Sequence, residues 1–295
     1  MVAITDTAPA PARGEVVRFV GRLFREKPLG AVGGVIFVLF LLCGIFADVL
    51  APYGMNQISP INRLKPPSWQ FPFGTDNLGR DMLSRCLYGA QLSVIIGFSA
   101  AALATVISVI VGIVTGYLGG KFDLVSQRFV DAWMSFPDLV ILIVVVSVVG
   151  PGMPQIIGTL GLLLGIGGSR IIRSAVVSVR ENMYVHAAQS IGASTRRILW
   201  RHILPNVMPP IIVLFTTRVG TVILAESGLS FLGLGVPPPL PTWGGMLSGS
   251  GRTFMFQGPW LALAPGLCLT VVVYATNMFG DALRDLLDPR MRGST

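Results

Sequence analysis

The sequence has 295 residues, of which 52% are hydrophobic and only 12% are charged, and its formal net charge is +8. This composition excludes an ordinary soluble domain and is typical of a membrane protein. The basic residues cluster in a few segments between apolar runs, as membrane topology requires, so the charge does not indicate a nucleic-acid partner. Cys43, Cys86 and Cys268 are far apart and provide neither a disulfide framework nor a metal-ligand spacing.

The first 28 residues are predicted to form a cytosolic tail and an amphipathic helix. Residues 1–14 are rich in Ala and Pro, which favours disorder, and they show no signal-peptide cleavage pattern. Residues 15–27 combine apolar positions with Arg and Lys in a pattern typical of a helix that lies on the membrane surface. Pro28 is expected to end this helix, because proline does not continue it.

Six apolar runs follow, each near the roughly 20 residues that a helix needs to cross a bilayer. We therefore predict an all-α polytopic membrane protein with six transmembrane helices, at residues 29–47, 91–118, 132–149, 155–168, 207–224 and 260–279. The remaining segments are assigned to the two sides of the membrane. They are an external loop at 48–90, a five-helix core at 91–279 with a cytosolic loop at 170–206 and an external loop at 225–257, and a cytosolic tail at 280–295.

Residues 182–206 form the most polar long segment between two apolar ones, and they indicate two short helices with a break. Gly192 can end the first helix in the left-handed conformation, and Ser194 or Thr195 can cap the second. Pro205 is expected to limit the second helix, since proline cannot donate the helical hydrogen bond. Two interpretations remain: a helix that docks into another protein, or a basic cytosolic loop that only sets the orientation.

The predicted external loops carry dense local motifs. The first contains Phe73-Gly74-Thr75-Asp76 and Gly79-Arg80-Asp81, and the second contains a run of prolines followed by Trp243. Asp76, Arg80 and Asp81 have two equally supported interpretations. They contact the substrate directly, or they cap and pair within their own loop.

Two charged residues fall in or beside the fifth span. Arg218 lies about twelve residues past Asn206, so roughly 18 Å of helical rise places it near mid-membrane. A charge there costs several kcal/mol unless it faces water or a partner. It is either a cation of a translocation path or a residue that snorkels to the interface or forms a structural pair between subunits. Glu226 lies two turns further on and is expected near the external mouth, where it helps to hold the loop.

The motif Ala187-Ala188, then Gly192, then Leu204-Pro205 resembles the EAA loop of ABC importer permeases. The external motifs and the carboxyl end resemble the same family, so the resemblance covers most of the chain. His186 stands where the family has Glu, which puts any contact through that carboxylate in doubt. The resemblance implies that this loop is a coupling helix seated in a groove of an ATPase subunit. The residues expected to form it are Tyr184, His186, Ala187, Ala188, Ser190, Gly192, Ala193, Arg196, Leu204 and Pro205.

The resemblance further implies the fold of a type I ABC importer permease and a place in a larger complex. The chain is similar to the C-type permease of the dipeptide, oligopeptide and nickel branch. Its expected partners are a homologous B-type permease, two ATP-binding cassette subunits and an extracytoplasmic solute-binding protein. ATP-driven closure of the ATPases would move the coupling helix, and the substrate would pass between the two permeases.

No enzyme motif is present in the sequence. The phosphate-binding pattern G-x-x-x-x-G-K-[ST] is missing, so no cofactor is expected in this chain and ATP would be bound by partner subunits. His186 and His202 both lie in the predicted cytosolic loop, which argues against an intramembrane Ser–His hydrolase. A secondary transporter is the alternative class, although it would require paired ionisable residues at mid-membrane.

Charge asymmetry predicts the orientation. Sixteen of the 22 Lys and Arg residues fall on one side when both termini are placed in the cytosol of a bacterial inner membrane. No cluster of metal-ligating side chains lines the predicted spans, so a dehydrated metal ion would find no ligands. Short peptides are therefore the favoured cargo, and nickel or a metal chelate is the alternative.

Overall fold

The computed structural model describes residues 12–287 and is built from helices. The helices of at least eight residues are α1 (Ala12–Glu26), α2 (Pro28–Ile45), α3 (Met82–Leu118), α4 (Gly120–Met134), α5 (Asp138–Val149), α6 (Met153–Arg180), α7 (Met183–Ser190), α8 (Met208–Phe231) and α9 (Trp260–Leu287). Within this range the structure contains no β-strand, only an isolated bridge between Thr75 and Asp81. Of residues 1–14, predicted to be disordered, 12–14 belong to α1, which contradicts the prediction there, and 1–11 lie outside the described residues, as does the end of the predicted tail from residue 288.

Five helices, α2, α3, α6, α8 and α9, are each long and apolar enough to cross a membrane. The sixth crossing is possible only if α4 and α5 are taken together, and these two helices meet at an angle of 82°. The predicted span at 132–149 is therefore bent, with its first residues in α4 and most of its length in α5. Pro137 explains the break, because proline disfavours a helical conformation in the residue before it. Its own backbone is extended, and α5 starts directly after it.

Most helices extend beyond the predicted apolar runs. Helix α3 begins nine residues before position 91, α8 continues to Phe231 inside the predicted loop 225–257, and α9 reaches Leu287. Helix α6 includes the first residues of the predicted loop 170–206. The hydropathy criterion detects the apolar window, whereas the helices continue through polar residues that pack within the protein, such as Ser84 and Arg85.

Small residues allow the long helices to approach closely. A Cβ atom at Gly112 of α3 would lie 2.7 Å from the Ser169 carbonyl oxygen of α6, and one at Gly33 of α2 would lie 2.7 Å from the Ala275 carbonyl oxygen of α9. Other glycines allow a similarly close approach where α6 meets α3 and where α8 meets α9. Helix α3 thereby packs tightly along α6, and α9 packs between α2 and α8.

The predicted amphipathic helix is present as α1. Its Phe19 and Leu23 pack against Ala282 and Leu286 of α9. An ion pair of 2.6 Å between Lys27 and Asp285 lies at the same junction. The amino-terminal helix is therefore attached to the carboxyl-terminal end of α9.

Candidate functional site

Gly192 ends α7 by a hydrogen-bonded motif that requires a left-handed residue. Its φ angle is +77°, its N–H donates to the Gln189 carbonyl at 2.9 Å, and the Ala193 N–H donates to the Ala188 carbonyl at 3.0 Å. This pair of bonds is the Schellman arrangement, in which glycine is favoured because it has no Cβ. The predicted helix stop at Gly192 is confirmed, and the helix itself spans Met183–Ser190.

The second short helix starts as predicted but continues further. Ser194, not Thr195, is the cap, and its side chain accepts from the Arg197 N–H at 3.4 Å. Helical structure runs through three consecutive pieces, Thr195–Ile198, Leu199–Ile203 and Leu204–Asn206, and it ends one residue beyond Pro205, which was expected to limit it. The middle piece is a wide π turn, which changes the donor pairing just before the proline and so tolerates its missing N–H.

The coupling segment, which we define as residues 182–206, packs by one face onto the ends of α6 and α8. Its buried side chains are Val185, Ala188, Ile198 and Ile203, which contact Ile172 and Val176 of α6 and Leu214 of α8. This small core attaches the segment to two membrane-spanning helices. A displacement of the segment is thereby linked to α6 and α8.

The opposite face of the coupling segment is exposed. Of the ten residues predicted to form the coupling site, Ala193 and Leu204 are half-buried, Ala188 is buried, and the rest are exposed. Ala188 therefore cannot contact a partner directly, because it belongs to the inner core. Sequence reasoning missed three apolar side chains on the outer face, Met183 (87% exposed), Ile191 (85%) and Trp200 (67%). They could have been recognised in the sequence as large apolar residues within the mostly polar segment 182–206.

The histidines of the coupling segment have different surroundings. The centre of the His202 ring lies 6.2 Å from that of the Tyr184 ring. The backbone carbonyl of His202 accepts a hydrogen bond from the Asn206 side-chain amide. The His186 side chain is exposed, and only its backbone carbonyl has a side-chain partner among the described residues, the Ser190 hydroxyl at 3.0 Å. His186 is thus placed on the outer face, where the resembled family has Glu.

Arginines of α6, just before the coupling segment, connect α6 to α4 and to the end of α3. Arg173 forms two hydrogen bonds with the carboxylate of Asp123 on α4. Arg170 forms an ion pair with Asp131, further along the same helix. Arg180 donates to the carbonyls of Gly116 and Tyr117 at the end of α3. These contacts between distant positions were not expected from the sequence. They attach α4 and the end of α3 to the part of α6 that leads into the coupling segment.

Arg218 lies inside the helix bundle and is only 7% exposed. Its guanidinium donates to the Ser108 hydroxyl of α3 at 3.0 Å and to the Leu164 carbonyl of α6. A Cβ at Gly168 would overlap this guanidinium, so the glycine makes room for it. No carboxylate among residues 12–287 forms a salt bridge with it. The structural interpretation of Arg218 fits these contacts, with neutral oxygens as its partners.

Glu226 is 1% exposed and fastens the second external loop to α8. Its carboxylate accepts from the hydroxyls of Ser230 at 2.6 Å and Ser227 at 3.4 Å, and also from Thr242. Thr242 caps the short helix Trp243–Met246. The arrangement corresponds to the expectation that Glu226 helps to hold the loop.

In the first external loop, Asp76 and Asp81 are engaged by their own neighbourhood. Asp76 is fully buried and accepts from the N–H groups of Leu78 (2.8 Å) and Arg80 (2.9 Å) and from the Arg80 Nε (2.6 Å). Asp81 is the cap of α3, since its carboxylate accepts both from the N–H and from the hydroxyl of Ser84. Both carboxylates therefore stabilise the loop.

The two external loops enclose a cavity of about 510 Å³ at the end of the bundle opposite the coupling segment. We call it the external cavity, after the side of the membrane predicted for the two loops. The described residues that line it come from both loops and, with Pro151, from the connection between α5 and α6: Asn77, Arg80, Arg85, Pro151, Ser230, Gly233, Gly235, Val236, Pro237, Pro238, Pro239, Leu240, Pro241, Gly245, Met246, Ser248, Gly249, Ser250, Thr253 and Phe254. Trp260, the first residue of α9, connects the first loop to that helix, because its Nε1 donates to the Thr75 carbonyl at 3.0 Å.

These features define a polytopic membrane permease of the kind found in ABC importers, with a helical segment mounted at one end and joined loops at the other. The structure is similar to a methionine ABC transporter, MetNI, solved in inward-facing conformations, with a TM-score of 0.59 over 70% of this chain and 98% of that chain. The sequence identity is 16%, so this likeness concerns the fold.

The chain belongs to the family described as binding-protein-dependent transport system inner membrane component, which it matches over residues 105–293. Residues 19–67 match the N-terminal transmembrane domain of oligopeptide transport permease C. The chain is 40% identical to the dipeptide transport system permease protein DppC of Alkalihalophilus pseudofirmus, over 91% of this chain and 88% of that protein. It is 39% identical to the oligopeptide transport system permease protein OppC of Bacillus subtilis, with the same coverage. It is 38% identical to the glutathione transport system permease protein GsiD of Escherichia coli, over 92% and 90%.

Proposed function

We propose that this chain is one permease subunit of an ATP-driven importer for short peptides. The observation that carries this proposal is the coupling segment, which is anchored to α6 and α8 on one face and exposes apolar and basic side chains on the other. Such a face fits the groove of a partner protein, because an exposed apolar patch with a polar rim is typical of an interaction site.

The partner at this face is an ATP-binding cassette subunit. Closure of two such subunits on ATP moves the coupling segment, and its core transmits the movement to α6 and α8. A homologous B-type permease supplies the other half of the path, and an extracytoplasmic solute-binding protein delivers the cargo. ATP is bound by the partner subunits, and this chain contributes no catalytic residue.

Peptides are the proposed cargo because relatives of 38–40% identity are named for the transport of a dipeptide, an oligopeptide and glutathione. Nickel or a metal chelate remains the second candidate through the wider branch that the sequence resembles. The coupling segment, α1 and the end of α9 lie at one end of the bundle, and both external loops lie at the other, which supports the proposed orientation. We place both termini in the cytosol of the bacterial inner membrane.

The test uses a bacterial strain that lacks this chain and any redundant peptide importer. Uptake of a labelled dipeptide should be lost and should return with the wild-type chain, which should copurify with an ATPase. Loss of nickel uptake with unchanged dipeptide uptake would reject the peptide proposal.

Orientation is tested separately by cysteine labelling. A single cysteine at Ser248 should react with an impermeant reagent in spheroplasts, and one at Ser194 should react only after the membrane is opened, in a background without the three native cysteines. Labelling of both positions in intact spheroplasts would contradict the proposed topology.

A further inference from the structure

We propose that the external cavity binds the carboxylate of a short peptide and that Arg80 is the residue that receives it. This inference rests on the proposed function, because it identifies the part of the cargo that this chain recognises. It concerns a step at the external end of the path, distant from the coupling segment.

The charge balance around the cavity favours an anion. Asp76 is the carboxylate that neutralises both arginines of the lining, with its Oδ2 2.6 Å from the Arg80 Nε and 3.8 Å from the Arg85 Nε. The two guanidiniums thus share one paired carboxylate, whereas the other buried carboxylate of the loop, Asp81, is engaged by Ser84 and forms no ion pair with either arginine. None of the described residues that line the cavity is acidic. Glu226 lies behind the lining residue Ser230, whose hydroxyl donates to it.

Arg80 has the free donors that a carboxylate requires. Its Nε is used by Asp76, whereas its two Nη atoms form no hydrogen bond with any residue between 12 and 287. The side chain is 15% exposed, so it is held in place and still reaches the cavity. Arg85 is more constrained, because its Nη1 donates to the Met55 carbonyl at 3.3 Å. A guanidinium fixed at Nε presents its remaining N–H groups as a fork that matches the two oxygens of a carboxylate.

The remaining walls fit the rest of a peptide. Val236, Leu240, Met246 and Phe254 supply apolar surface, and the prolines from Pro237 to Pro241 have carbonyl acceptors but no N–H donors. Such a wall suits the N–H groups and ammonium of a peptide. A volume of about 510 Å³ is also within the range of roughly 300–1,000 Å³ of small-ligand pockets, whereas a protein docking face is flatter. The cargo, and not the solute-binding protein, is therefore the proposed source of the carboxylate.

The test measures binding of dialanine and of dialanine amide to the purified complex in lipid nanodiscs, without the solute-binding protein. The wild-type complex should bind dialanine about tenfold more tightly than the amide, because a charge-assisted pair to Arg80 is lost in the amide. Arg80→Gln should reduce dialanine affinity to that of the amide and leave amide affinity unchanged. Arg252→Gln, an equal loss of charge at an exposed position beside the cavity, should change neither.

Equal wild-type affinity for the two compounds, or a preserved preference in Arg80→Gln, would overturn the inference. If Arg80→Gln loses all binding, Arg80→Lys decides, since it keeps the charge and should retain part of the preference. If Arg80→Gln weakens binding of the solute-binding protein instead, the carboxylate belongs to that protein and the cargo site is rejected. Dipeptide uptake by the complete wild-type system separates the two levels: uptake without direct binding rejects only this site, and absent uptake rejects the proposed function.

Discussion

The two ends of this permease use their polar residues in opposite ways. In the first external loop, Asp76 and Asp81 are buried, and both Asp76 oxygens and one Asp81 oxygen accept hydrogen bonds from nearby donors. In the coupling segment, Arg196 and Arg197 are exposed, and large apolar side chains such as Ile191 and Trp200 are exposed beside them. Both regions contain a family motif, yet one motif stabilises a loop and the other presents a surface.

The difference shows how a motif can be assigned a physical role. A buried charge has to be paired, so a substitution there changes the stability of the fold. An exposed side chain contributes little to stability, so a substitution there acts mainly on whatever binds it. The comparison therefore predicts that substitutions of the buried carboxylates in the first loop reduce folding and assembly, whereas substitutions in the coupling segment reduce coupled activity.

The largest effect is expected for Asp76→Ala. The substitution leaves the Arg80 and Arg85 guanidiniums without their shared carboxylate, and an uncompensated buried charge costs about 3–5 kcal/mol. The complex should lose most of its thermal stability, as measured by size-exclusion chromatography after heating. Asp76→Asn keeps one acceptor for the backbone N–H groups and should be intermediate. Wild-type stability of Asp76→Ala would contradict a structural role for this carboxylate.

Arg218→Ala should have the next largest effect. It removes both hydrogen bonds of the guanidinium and leaves a cavity between α3, α6 and α8, at a cost of about 2–5 kcal/mol. Thermal stability and transport rate should fall together, while the peptide affinity of the isolated solute-binding protein stays unchanged. A slower transport rate with full stability would instead identify Arg218 as a residue of the path.

Gly192→Val should affect coupling more than stability. A Cβ at this position meets no atom within 4 Å, so the strain comes only from the positive φ, which a β-branched residue adopts poorly. We expect substrate-stimulated ATP hydrolysis to fall at least tenfold, while the protein still inserts in the membrane. Gly192→Asn tolerates the left-handed conformation and should retain most of the activity. Equal losses in both variants would argue against the helix stop as the cause.

The smallest effect is expected for His186→Glu. The side chain is exposed and forms no hydrogen bond or ion pair within the described part of the chain, so the substitution should change the free energy of unfolding by less than about 0.5 kcal/mol. Peptide-dependent ATP hydrolysis should also remain close to wild type, because Glu is the residue of the resembled family at this position. A severe loss of hydrolysis would assign His186 a role of its own at the ATPase contact.

Features that depend on neighbouring residues were predictable from the sequence. The helix stop at Gly192 and the cap at Ser194 follow from local backbone geometry, and the apolar runs follow from the transfer of about 20 successive residues into lipid. The position of the helix ends was less predictable. Met82 begins α3 among polar residues, because its surroundings are other parts of the protein and not water.

By itself, the sequence determined that this is a helical membrane permease, which segments are apolar enough to cross the bilayer, and where the coupling segment turns. Only the tertiary structure decided the partners of the charged residues. Arg218 meets Ser108 across 110 residues of sequence, and Arg173 meets Asp123 across 50. Hydropathy reports the cost of burying a charge, but the oxygen that compensates it is supplied by a distant helix. Which helix comes within hydrogen-bond distance depends on how closely the glycines let the helices pack.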